Sequence, residues 1–221
     1  MQKFDTPSPV TAVLDIPGGR IRFIAADRTD TTVEILPADA SKGRDVKAAE
    51  QTEVVYGDGV LRIGVPPAKN RFLGHSGAIE VTVQLPTGSR VEAKAAAAEF
   101  RGVGRLGDVA FDGANGTVKI DEAESVRLSA LAGDVVVGRL NGPAEISTQK
   151  GDITITEAVT GSVVLSTQTG DITVGTAASA SLDAGTSYGR VHNTLKNTDG
   201  AHAGLAIRAT TAHGAITARS L

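Results

Sequence analysis

The chain has 221 residues, 41% of them hydrophobic but only 3% aromatic, with 26 glycines, no cysteine and a formal net charge of -3. This charge gives no electrostatic case for binding nucleic acid or an anionic membrane surface, and the missing cysteines exclude disulfides and thiolate metal sites. A core of Ala, Val, Ile and Leu punctuated by Gly suits many short strands joined by tight turns.

The opening MQKFDTPSPV shows no basic segment leading into an apolar run, and no stretch is long and apolar enough to span a bilayer. A cytoplasmic protein without membrane insertion is therefore expected. VLDIPGGRIRFIAA (13–26) reads as an alternating strand, a Pro/Gly corner and a second strand. PADASKGRDVKAAEQ (37–51) is charged and lacks a hydrophobic stripe, so it reads as an inserted loop. TEVVYGDGVLRIGV (52–65) gives two strands around GDG. PPAKNRFLGHSG (66–77) is a second inserted loop, which sets Lys69, Arg71 and His75 around Phe72 and Leu73. If exposed, that apolar knob with a basic rim suits a protein contact; if folded back, it covers the first rungs. IEVTVQLPTGSRVEAKA (79–95) is again strand, corner, strand.

From there the chain becomes regular. STQKGDIT (147–154) returns nineteen residues later as STQTGDIT (166–173). With the turn glycines Gly116, Gly133, Gly151, Gly170, Gly189 and Gly214 as anchors, the spacings are 17, 18, 19, 19 and 25. Two residues after each anchor stand Val118, Val135, Ile153, Ile172, Val191 and Ile216. Five before stand Phe111, Leu128, Ile146, Leu165, Ala184 and Ala209, and seven before stand Val109, Val126, Ala144, Val163, Leu182 and Ile207. Period-two alternation inside a period of about eighteen means two half-buried strands per unit, and only stacking unit on unit can bury their apolar faces. The expected fold is an all-β, single-stranded parallel β-solenoid (a β-helix of right-handed coil) with ~18-residue rungs. It forms one domain over 1–221, irregular through 1–90 and regular over 91–221.

The unit V-x-x-S-T-x-x-G-D-I-x-(V/I), clearest over Ser125–Ser181, and the opening FDTPSPVTAVLDIPGGRIRFIAAD together resemble the putative-adhesin family of bacterial β-strand-repeat proteins, a domain of unknown function. The resemblance implies a right-handed β-helix-like fold and no established enzyme activity.

The chemistry read from the residues is sparse. Asp134, Asp152 and Asp171 follow successive anchors, with Arg190 at the next. They read as caps of backbone amides in their own turns, with Arg190 neutralising one end; a bound Ca²⁺ is the alternative. Ser129, Ser147, Ser166 and Thr210 could form a hydroxyl ladder. His75, His192, His202 and His213 lack the spacing of a compact metal site, although His192 and His213 could meet on neighbouring rungs. No nucleophile elbow or phosphate-binding loop is present, so no catalytic residue, cofactor or metal is assigned. The expected function is a non-catalytic scaffold or protein-interaction module, adhesin-like. The alternative is a carbohydrate-active enzyme on a β-helix, which would use outward charges such as Arg127, Glu145, Asp183 and Arg208. LAIRATTAHGAITARSL (205–221) reads as the last rung, whose open edge could pair with a second copy unless LKNTDGAHAG (195–204) folds over it or Arg208 and Arg219 guard it.

Overall fold

Alternation of β-branched and polar residues dictates strands, and strands dominate the computed structural model, which describes residues 1–64 and 77–221. The first part comprises β1 (Gln2–Asp5), β2 (Thr11–Ala26), β3 (Asp30–Pro37), helix α1 (Gly43–Gln51), β4 (Glu53–Gly57), β5 (Val60–Gly64) and β6 (Ile79–Pro86). The middle comprises β7 (Arg90–Asn115), β8 (Val118–Ala132), β9 (Val135–Leu140), β10 (Ala144–Lys150), β11 (Ile153–Ala158), β12 (Gly161–Thr169) and β13 (Ile172–Thr176). The last part comprises β14 (Ala180–Tyr188), β15 (Val191–Thr194), β16 (Leu205–His213) and β17 (Ile216–Ser220).

From β7 to β13 the strands stack in parallel, each rung one unit above the last. Ile146 lies between Leu128 and Leu165, and Ile153 between Val135 and Ile172, as the anchor columns require. These side chains are fully buried and belong to one apolar cluster running from Val10 to Ile216. Removing such columns from water is the main favourable term for strands that cannot bury a face alone.

The sheet is mixed, which corrects the expectation of a purely parallel stack. β1 pairs antiparallel with β3, β3 with β6, and β4 with β5. The two strands around GDG form a hairpin: Asp58 and Gly59 both take left-handed φ, 51° and 75°, the combination that a tight two-residue hairpin turn needs. The segment 37–51 is not a loop throughout, since α1 occupies most of it. Asp45, Ala48 and Thr52 are buried, and the Asp45 carboxylate accepts the Ala78 N–H at 3.0 Å. Within α1 the buried residues are Asp45 and Ala48, one polar and one small, so its buried side shows no hydrophobic stripe.

Rung order also departs from chain order, at both ends. β2 lies between the β5/β6 rung and β7: Leu14 is apposed to both Ile63 and Ala93, and Ile21 to both Val81 and Phe100. At the other end β16 pairs with β12 on one side and β14 on the other, and β17 likewise separates β13 from β15. The rung 205–220 is therefore inserted, and the spatially terminal rung is β14/β15. The segment 195–204 meets the stack's end at Lys196, on the outer side of Ala180, and leaves the rest of β14 uncovered. It accepts the Ala180 N–H at Lys196 and the Gly161 N–H at Gly204, running back past the inserted rung.

Candidate binding surfaces

A glycine and an apolar residue two positions on build the corner of each regular rung, with Thr three before the glycine and Asp just after it at the Gly151 and Gly170 corners. Gly151 has φ 141°, and a Cβ there would lie 2.2 Å from the Gly133 carbonyl oxygen. The same clash repeats up the column in the spatial order Gly116, Gly133, Gly151, Gly170, Gly214, Gly189, so only glycine lets the corners stack this closely. Each Asp carboxylate accepts an amide of the next rung rather than of its own turn. Asp152 N–H donates to Asp134 at 2.9 Å, Asp171 N–H to Asp152 at 2.7 Å, and Ala215 N–H to Asp171 at 2.7 Å. Because rung 205–220 is inserted, Ala215 and not Arg190 follows Asp171, so Arg190 does not neutralise the ladder.

The hydroxyl ladder is the threonine column, which sequence reasoning missed. Thr167, Thr211 and Thr186 donate to the carbonyls of Gly151, Gly170 and Gly214 at 3.2, 3.1 and 3.0 Å. The Thr that recurs three residues before Gly151, Gly170, Gly189 and Gly214 was the available signal. The neighbouring serines point outward, and of that column only the Thr210–Ser166 contact, 3.4 Å, joins two rungs.

Outer walls carry ion pairs that tie adjacent rungs: Arg20 to Glu80 and Glu99, Arg101 to Asp121, Arg139 to Glu157, and Arg208 to Asp183. An open groove of about 670 Å³ follows two outward columns along the stack. Arg90, Asp108, Ser125 and Ser162 line one side, and Glu92, Arg127, Glu145 and Val164 the other. Arg127 and Glu145, which the sequence placed in one outward column, meet at 3.7 Å. Asp108 is bound by Arg90 and accepts the Ser125 hydroxyl at 2.6 Å. The Ser125 hydroxyl, and after it the Arg90 guanidinium, hold Asp108 below the ordinary carboxylate range. A general acid needs the opposite shift. Ser125 is committed as a donor to a carboxylate, and no histidine lines the groove. Glu92 and Glu145 stand three rungs, about 14 Å, apart by strand spacing, beyond the 5–9.5 Å or so of paired glycosidase carboxylates.

His213 stacks on Tyr188, with ring centroids 5.0 Å apart, and His192 sits opposite Thr217. Among the described residues no group of three or more His, Asp or Glu side chains is placed to hold a metal ion. No described helix is long and apolar enough to cross a membrane. The loop residues Lys69, Arg71, Phe72, Leu73 and His75 lie outside the described residues.

Stacked strands around one apolar column, with glycine corners and ion-paired outer walls, define a repeat protein built by rung stacking. The chain belongs to the Toastrack DUF4097 family, whose model matches residues 14–219, which bears out the resemblance read from the repeat. Similar solved structures include a putative adhesin from Bacteroides fragilis, 15% identical over 100% of this chain and 95% of that one, TM-score 0.45. Others are a putative adhesin from Parabacteroides distasonis, 14% identical over 100% and 95%, TM-score 0.42, and a putative cell adhesion protein from Clostridium sporogenes, 13% identical over 100% and 98%, TM-score 0.40. No curated protein matches the chain.

Proposed function

We propose that this protein is a non-catalytic β-solenoid scaffold, a single-domain, adhesin-like module that presents its outer walls and its end to a protein partner. The observation that carries this reading is the internal neutralisation of the groove. Its two arginines are engaged by Asp108 and Glu145, and of its two serine hydroxyls that of Ser125 is engaged by Asp108. Such a surface supports cross-rung cohesion and electrostatic complementarity to a partner, while it lacks a free acid–base pair. On sequence grounds, Phe72 and Leu73 within the basic rim of Lys69, Arg71 and His75 form a second contact.

The competing reading, a carbohydrate-active enzyme, places its chemistry in this groove. The test is turnover of a panel of neutral and acidic polysaccharides by the protein and by Glu92→Gln, Asp108→Asn and Glu145→Gln. The scaffold reading expects no product from any of them. Reducing-end or unsaturated product from the protein, lost in one of these variants, would overturn it.

A further inference from the structure

The two ends of the stack differ. At one end the strands turn antiparallel, α1 packs against β3 and β6, Phe4 and Tyr56 meet at 5.4 Å, and the outermost strands β1 and β4 carry Lys3, Asp5 and Glu53. At the other end the rung β14/β15 pairs on one side only. The Tyr188 carbonyl accepts the Gly214 N–H of the inserted rung. Because Gly161 donates to Gly204, Leu205 faces β14 and takes up the N–H and C=O of Ser181, Asp183 and Gly185, so those of Leu182, Ala184 and Thr186 turn to the opposite side, where no described strand pairs with them and where the Ala180 N–H donates to the Lys196 carbonyl. The core columns continue to this edge: Leu182 and Ala184 are only partly buried, while Tyr188 and Val191 are 72% and 46% exposed. Against the usual protections of a sheet edge, β14 and β15 hold no proline and one charged residue, Asp183, which faces Arg208 at 3.1 Å.

We propose that this edge is a self-association surface whose occupant is the β14 edge of a second copy, paired antiparallel about a twofold axis through Ala184. Three features select this arrangement. The capped end offers no parallel strand to continue the stack, so the bare end meets its own kind and association closes at two. Hydrogen bonds require outward-facing residues opposite one another, which the Ala184 centre satisfies: Ala184 faces Ala184 of the second copy and Leu182 faces Thr186, while Asp183 stands beside Gly185 at the intervening non-hydrogen-bonded position. A register centred on Asp183 would instead oppose the two carboxylates. The Ala184 register also sets Leu182 against Thr186 of the second copy, continuing the apolar interior across the junction.

The assignment concerns the stack's end, so its test is independent of the groove assays. A Cβ at Gly185 meets nothing within 4 Å, so that position accepts side chains without disturbing the fold. Sedimentation equilibrium over a concentration series is expected to show a monomer–dimer equilibrium. Gly185→Lys, placed opposite Asp183 of the second copy twice per dimer, should tighten it about fivefold, and Gly185→Asp should weaken it by at least as much. In a chain without native cysteine, Ala184→Cys should oxidise to a covalent dimer, because hydrogen-bonded antiparallel partners lie about 5.5 Å apart at Cα, within the range a disulfide spans. Ser187→Cys should not. A monomer at every concentration, including one whose edge captures a strand of another protein instead, overturns the proposal. So does a dimer indifferent to the sign of the charge at 185.

Discussion

At the residue scale, the corner is held by three devices of unequal strength. Gly170 combines φ 150° with a would-be Cβ only 2.1 Å from the Gly151 carbonyl oxygen, so Gly170→Ala must displace backbone and should cost several kcal/mol. Thr167 is buried and its hydroxyl satisfies one carbonyl, so Thr167→Val should cost about 1 kcal/mol. Asp152 is exposed and water can replace its carboxylate, so Asp152→Ala should cost less still. Urea unfolding of the three variants should give that order. Charge adds a pH dependence. The Arg28 hydrogen bond, followed by that of Lys3, lowers Asp30 from the ordinary 3.8 to about 2. A depressed folded pKa stabilises above the unfolded value, so this contribution is complete above about pH 5 and is lost as pH falls through 3.8 toward 2. Thermal unfolding of Asp30→Asn should therefore show a shallower acid decline than the parent between pH 5 and 2.

At the element scale, the rung is the unit of stability. Ile153 is fully buried between Val135 and Ile172, and truncating it opens a cavity with neighbours above and below. Ile153→Ala should cost about 2–5 kcal/mol by chemical denaturation, whereas Val164→Ala, on the outer wall and 38% exposed, should cost under about 1 kcal/mol. The register of these elements was legible in the sequence because apolar columns recur at fixed offsets from the turn glycines. Helix α1 was not legible, because its buried residues are Asp45 and Ala48, and a carboxylate beside a single small apolar residue makes no hydrophobic stripe. The antiparallel β4/β5 hairpin and a parallel corner draw on the same turn residues, so GDG alone does not separate them.

At the scale of the whole molecule, the central feature is the order of the rungs, which the repeat could not reveal. Ile207 accepts Val163 on one side and Leu182 on the other, and Ala209 accepts Leu165 and Ala184. Every rung presents the same columns, so sequential and inserted orders satisfy the same hydrophobic pattern. The longer connection 195–204 was the one sequence signal of a detour. The inserted order moves the free edge from 205–220 to 180–194, takes Arg190 away from the aspartate ladder, and makes β14 the surface that the self-association proposal depends on. Candidate surface residues were legible in part: the Arg127/Glu145 column was, and the groove floor was not, since it arises only when rungs are stacked. The most direct measurement is disulfide trapping. Ser166 and Thr210 stand on neighbouring strands with their hydroxyl oxygens 3.4 Å apart, while Gly185 lies beyond Thr210, two strand spacings or about 9.6 Å from Ser166. The account predicts that Ser166→Cys with Thr210→Cys closes an intramolecular disulfide under mild oxidation and that Ser166→Cys with Gly185→Cys does not. Closure of the second pair and failure of the first would show rungs stacked in chain order and contradict it.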